Sequence, residues 1–210
     1  EYRYKGLYGA RRKAQENGFT GAMYPWEAAW VDDGEVTPLW GAADVVTGKP
    51  MKILTGIIEQ HITADVAFAV DQYFAVTHDQ DFMDRYGYEM LIDTARFWAS
   101  RVTWDEAKQA YVILDVIGPD EYKEHVNNNA YTNYMAANNM RLALAAMETV
   151  EQRGGALYVR LNTLLNFADT REKLLGVMDR MYLPKPDANG IVPQFDGYFD
   201  LKHIDLTPYK

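Results

Sequence analysis

Apolar residues recur along this chain at steps of three and four, the spacing that lines one face of a helix. Residues 83–102 carry Met83, Tyr86, Met90, Leu91, Ala95, Trp98 and Val102 on one stripe. Residues 63–77 repeat the pattern with Val66, Val70, Tyr73 and Val76, and Thr63 with Asp65 in the first turn predicts a capped start. Residues 129–152 align Met140, Leu144, Met147 and Val150 behind three asparagines able to cap the helix. Further helices are predicted over Tyr4–Gln15, over 156–167, and from an Asp169…Glu172 capping box to before Pro184. Only residues 111–117, Tyr-Val-Ile-Leu-Asp-Val-Ile, read as an extended run. The pattern predicts a single all-α domain over residues 1–210.

Between the helices lie loops 18–51, 103–128 and 184–208, rich in Gly, Pro, Trp and acidic residues. Loops this long in a compact domain are usually functional. Helices alternating with such loops suggest a helical toroid whose loops gather at one end, where any chemistry should lie. The chain starts at Glu1 without Met or a leader and stops at Lys210, which reads as a piece of a longer polypeptide.

Charge narrows the choice of partners. With 21 Lys and Arg against 30 Asp and Glu, the net charge is −9, and neither nucleic acid nor an anionic membrane is an expected partner. No apolar run is long enough to cross a bilayer. The absence of cysteine removes disulfides, thiolate zinc sites and thiol catalysis, and fits a reducing, cytoplasmic setting. His61, His78, His125 and His203 lack metal-ligand spacing, and there is no phosphate-cradling or dinucleotide-binding glycine motif. Neither a metal nor a cofactor is expected. Aromatic residues at 13% suit a large core and equally suit stacking on sugar rings.

Three segments can carry chemistry. In Gly118-Pro119-Asp120-Glu121-Tyr122 a stiff turn presents two carboxylates, and Asn127, Asn128 and Asn129 follow at a helix start. Apolar surroundings would raise such an acid's pKa until it can protonate a leaving group; the alternative is an ordinary turn with a capping asparagine. The second segment, Gly21-Ala22-Met23-Tyr24-Pro25-Trp26-Glu27, continues through Asp32-Asp33-Gly34-Glu35 to Trp40. Its Trp26 and Glu27 pair a stacking ring with a hydroxyl-bridging acid, unless the loop only plugs the core. The third, Glu59-Gln60-His61-Ile62-Thr63-Ala64-Asp65, offers His61 as a substrate contact or as a structural hydrogen-bonder.

These blocks, together with Thr94-Ala95-Arg96-Phe97-Trp98 and Asn127-Asn128-Asn129-Ala130-Tyr131-Thr132-Asn133, resemble glycoside hydrolase family 65 in order and spacing over nearly the whole chain. The resemblance implies the central part of an (α/α)6 barrel, with Glu121 as general acid. It also implies inverting phosphorolysis of an α-glucosidic disaccharide, such as maltose, kojibiose, nigerose or trehalose. The products would be β-glucose 1-phosphate and a free acceptor. Trp26, Glu27, His61, Asp120 and Asn129 would border the substrate, and inorganic phosphate is the co-substrate. The family's tryptophan-aspartate motif would precede Glu1 and its phosphate-binding Lys-Gln would follow Lys210; Lys108-Gln109 is out of order for that role. Partners are then a disaccharide and phosphate, with homo-oligomerisation open. A family hydrolase of the acid-trehalase type, or a silent sugar-binding helical module, are the alternatives. The loop Val45-Val46-Thr47-Gly48-Lys49-Pro50 could shape the acceptor subsite.

Overall fold

A computed structural model describes residues 1–29, 34–202 and 207; Asp32, Asp33 and His203 lie outside them. The described chain is mostly helical. Its helices are α1 (Tyr2–Lys5), α2 (Leu7–Glu16), α3 (Thr55–Ile58), α4 (Ile62–Thr77), α5 (Gln80–Phe82), α6 (Tyr88–Arg101), α7 (Ala130–Arg153), α8 (Gly155–Leu165) and α9 (Phe167–Met178). The long α6 and α7 pack against each other, α4 lies across both, and α9 closes the other side. Met90, Ala95 and Trp98 of α6 and Met140, Met147 and Val150 of α7 are all buried, as the stripes predict. Asn139 Nδ2 donates to the Leu91 carbonyl at 3.1 Å inside this interface.

Several boundaries differ from the sequence reading. A π-helical turn, Met83–Gly87, joins α5 to α6, and Gly87 leaves room for the Met83 sulfur that a Cβ would strike at 2.3 Å. The helix of 63–77 begins one residue earlier, at Ile62: His61 occupies the cap position, and the Thr63 hydroxyl accepts instead from the Tyr24 amide at 2.9 Å. Tyr73 and Val76 stay exposed because the buried residues of α4 all lie at or before Val70. Asp169 sits inside α9, whose first residue is Phe167, so the proposed capping box is not the helix start.

Extended structure is redistributed too. The run 111–117 contributes only its first residues to a strand: β3 (Thr103–Asp105) pairs with β4 (Ala110–Val112) in an antiparallel hairpin. A second hairpin, β1 (Trp40–Ala43) with β2 (Pro50–Lys52), lies within loop 18–51. Val45 and Val46 at its tip are almost fully exposed.

The segment before Trp26 is core. Ala22, Met23 and Tyr24 are buried, the Ala22 amide donates to the Asp93 carbonyl of α6 at 3.0 Å, and the Met23 amide to the Ala10 carbonyl of α2 at 3.0 Å. Gly21 has φ +79°, and a Cβ there would lie 2.4 Å from the Asp93 oxygen, so only glycine permits the approach. Beside it, buried Asp93 is paired with Arg11 and Arg96, and Glu89 with Arg11 and Arg160. Buried carboxylates require such partners.

Candidate active site

The turn around Glu121 is built on backbone ties. Val116 and Val126 exchange two hydrogen bonds of 2.9 Å and close residues 117–125 into a loop. The Ile117 amide donates to the Ile58 carbonyl at 3.1 Å, which fastens the turn to the end of α3. Gly118 is buried against the Asn129 amide, where a Cβ would come within 2.1 Å of Nδ2. The far loop completes the clamp: Gln194 Nε2 donates to Asp120, and Tyr122 Oη donates to Gln194 Oε1 at 2.8 Å. Glu121 projects from this frame, exposed and with no hydrogen bond from the described residues. The apolar burial expected around it falls on another carboxylate, Glu59.

The three asparagines lock the frame. Asn127 accepts from the Asp115 amide at 3.0 Å, and its carbonyl accepts from the Asp196 amide at 3.0 Å. Asn128 adopts φ +52°, a left-handed conformation its short amide tolerates, and donates to Asp196 at 2.8 Å. Asn129 is the N-cap of α7: its Oδ1 accepts from the Thr132 amide at 3.0 Å and hydroxyl at 3.1 Å. Asn129, expected at the substrate, is buried and caps α7 through this oxygen.

A polar chain runs beside this frame. The side chain of Glu59, at the C-terminus of α3, is 0% exposed, and its Oε1 accepts from His61 Nε2 at 2.9 Å. His61 Nδ1 donates to Asp65 Oδ2 at 2.7 Å, and Tyr131 Oη donates to Asp65 Oδ1 at 2.9 Å. Burial disfavours the charged ring, but the hydrogen bonds and charges of Asp65 and Glu59 outweigh it and lift the His61 pKa to about 9. His61 is therefore an imidazolium at neutral pH, donating through both nitrogens. Burial raises the Glu59 pKa; the His61 contact opposes this, and the Glu121 and Asp65 charges add to the rise. Glu59 Oε2 is buried with no partner among the described residues. Half-buried Arg101 joins the two segments by donating to Gln60 Oε1 at 2.6 Å and to the Leu114 carbonyl at 2.5 Å.

Trp26 and His61 meet edge to face with centroids 6.2 Å apart, and His61 meets Tyr131 likewise at 5.3 Å. Trp26 is half-buried and Glu27 exposed, so the plug ends at Pro25 and these two stand at the rim. A cleft of about 780 Å³ opens there, with Trp26, Asp65, Ile62, Tyr73, Phe82 and Arg85 among its walls. Glu121 and Asp120 are outside that cleft. Trp26 and Asp65 line this cleft, His61 touches both from behind it, and the Glu121 charge is felt at Glu59 on the far side of His61. Sequence reasoning missed Glu59, Tyr131 and Gln194, although His61 and Asp65 at i,i+4 was a helical pairing open to inspection. Among the described residues no group of His, Asp and Glu could hold a metal ion, and no helix is long and apolar enough to cross a membrane.

A family model described as the glycosyl hydrolase family 65 central catalytic domain matches residues 1–210. The chain is 47% identical over 212 residues to a kojibiose phosphorylase of Halothermothrix orenii, covering 100% of this chain and 27% of the relative. It is 36% identical over 209 residues to a kojibiose hydrolase of Flavobacterium johnsoniae, covering 99% and 26%. A solved structure titled putative kojibiose phosphorylase from human microbiome superposes with TM-score 0.77 at 26% identity, over 99% of this chain and 28% of that one. The chain spans about a quarter of the length of the relatives it matches.

Proposed function

Starting from the premise that this chain belongs to glycosyl hydrolase family 65, as the match to its central catalytic domain over residues 1–210 shows, we propose that it forms the central part of an (α/α)6-barrel glycoside phosphorylase. The substrate is an α-glucosidic disaccharide of the kojibiose type, the co-substrate inorganic phosphate, and the products β-glucose 1-phosphate and a free acceptor sugar. No metal or cofactor takes part, and the setting is cytoplasmic. The observation that supports this best is the clamped turn: Gly118 to Tyr122 holds one carboxylic acid, Glu121, free of hydrogen bonds from the described residues, and its charge acts on Glu59, the partner of His61.

One acid is enough for phosphorolysis. Inversion with water needs a second carboxylate to deprotonate the nucleophile. Phosphate is already an anion at neutral pH and attacks the anomeric carbon unaided. Glu121 protonates the glycosidic oxygen as the bond breaks, and phosphate attacks from the opposite face, turning α into β. In the reverse direction the Glu121 carboxylate takes the proton from the acceptor hydroxyl. Trp26 stacks on a sugar face, Asp65 lines the same cleft, and Glu27, next to Trp26 in the chain, is exposed to accept from hydroxyls.

The kojibiose hydrolase relative supports a second reading, in which water replaces phosphate and a further carboxylate outside this chain acts as base. Turnover of kojibiose by the full-length protein with and without phosphate separates the two. Glu121→Gln should lower the rate by ~10²–10⁴-fold in both directions, the range of general acid–base catalysis. A variant retaining more than about a tenth of wild-type turnover would remove Glu121 from the role.

A further inference from the structure

The loop that carries Trp26 and Glu27 is fastened by one carboxylate. Glu35 Oε2 accepts from the Trp26 amide at 2.7 Å and from Lys13 Nζ at 2.6 Å. Glu35 Oε1 accepts from the Glu27 amide at 3.0 Å, from the Thr37 amide at 3.2 Å and from the Thr37 hydroxyl at 2.6 Å. That hydroxyl also lies 3.1 Å from Glu27 Oε2, so it links the clasp to the one rim carboxylate of the loop. The Lys13 ammonium in turn donates to the Gly56 carbonyl of α3 at 2.9 Å, three residues before Glu59. Gly56 suits the approach, because a Cβ there would press tightly, 3.0 Å from Glu35 Cγ and 3.1 Å from Thr37 Cβ. Lys13 is 11% and Glu35 17% exposed at the side chain, so water screens the pair weakly.

We propose that Glu35, braced by Lys13 and Thr37, is a positioning residue for substrate recognition, fixing the Trp26–Glu27 backbone so that ring and carboxylate meet the sugar at the cleft. The proposal rests on the assignment of Trp26 and Glu27 to the sugar-binding rim. Five donors converge on two oxygens, more than a surface loop needs in order to stay folded. Burial would favour the neutral acid, but the hydrogen bonds from Lys13, Thr37 and the Glu27 amide outweigh it and hold Glu35 below the ordinary carboxylate range. Two of the five donors are the amides of the very residues at the rim, so loosening Glu35 moves both rim side chains together.

The test uses full-length enzyme and kojibiose, with turnover followed with and without phosphate. Glu35→Gln keeps the shape but turns an amide NH₂ toward donors. It should raise KM roughly 10-fold or more, the worth of one charge-assisted hydrogen bond, with a much smaller change in kcat. In a Trp26→Ala background one of its two rim targets is gone, so the same change should raise KM by a clearly smaller factor than in the wild type. Thr37→Val, which removes only the hydroxyl, should raise KM in the same direction and decides the matter if Glu35→Gln fails to fold. Equal multiplicative effects of Glu35→Gln with and without Trp26, or an unchanged KM in Thr37→Val, would overturn the proposal. Turnover without any phosphate requirement would instead refute phosphorolysis and leave the coupling between Glu35 and Trp26 measurable.

Discussion

Replacing His61 by glutamine should abolish a pH dependence that the wild-type protein carries between pH 6.5 and 9. The ring is buried between Glu59 and Asp65 at 2.9 and 2.7 Å, and its pKa of about 9 lies well above the unfolded value of about 6.5. The native state therefore binds the proton more tightly than the unfolded chain. Each unit of difference is worth about 1.4 kcal/mol, so the pairing contributes roughly 3 kcal/mol. That stabilisation is complete below pH 6.5, declines as the pH rises, and is lost once the folded-state ring deprotonates near 9. Thermal unfolding of the wild-type and His61→Gln proteins at pH 6.5, 7.5 and 9 measures it. The wild-type lead should be about 5–10 °C at pH 6.5, for a domain of this size, and shrink steadily toward pH 9. A gap that stays constant across the three pH values would mean that the ring does not hold its proton between the two carboxylates.

Other substitutions probe the frame and the rim. Trp26→Ala should raise KM for the disaccharide with little change in Tm, since the ring is only half-buried; a loss near the ~3–5 kcal/mol of a core Trp would place it in the core. Asn129→Ala should cost about 1 kcal/mol through the lost cap of α7, read by chemical denaturation. Gly118→Ala drives a methyl into the Asn129 amide and should lower kcat more than it raises KM, because the turn that carries Glu121 must move. Arg101→Met removes the two half-buried hydrogen bonds from Arg101 to Gln60 and to Leu114 and should cost roughly 1–3 kcal/mol, again by denaturation.

Local periodicity made the long helices legible, because the stripes of α6 and α7 are buried over most of their length and sequence spacing alone reports that. The N-terminus of α4 was misplaced since Thr63 faces inward to Tyr24, a contact 39 residues away that no local rule contains. The hairpins were missed because β1 and β2 are mostly exposed and lack apolar alternation. At the site, residue types announced the Gly118-Pro119 turn and its two carboxylates, while the choice of Glu121 as the acid came from the family resemblance. Glu59 could not, since its significance comes from burial, and burial depends on α4 and the 113–117 run converging through Arg101. Glu35 escaped notice for the same reason: Lys13 lies 22 residues away, and only the fold brings it near.

The clamp on the Glu121 turn has a temporal side. Asp120, Tyr122 and Asn128 take their partners from Gln194 and Asp196, 74, 72 and 68 residues downstream. A ribosome adds ~5–20 residues each second, so the turn is made roughly 4–15 s before the residues that hold it exist. Through that interval α6 can already have formed, while the loop bearing the acid has Ile58, its own Val116–Val126 bridge and the Arg101 and Asn127 ties, but not the clamp on Asp120 and Tyr122. The clamp on the Glu121 turn can thus close only after residues 194–196 are made, and a nascent chain stalled before residue 194 would carry Glu121 on an unclamped loop.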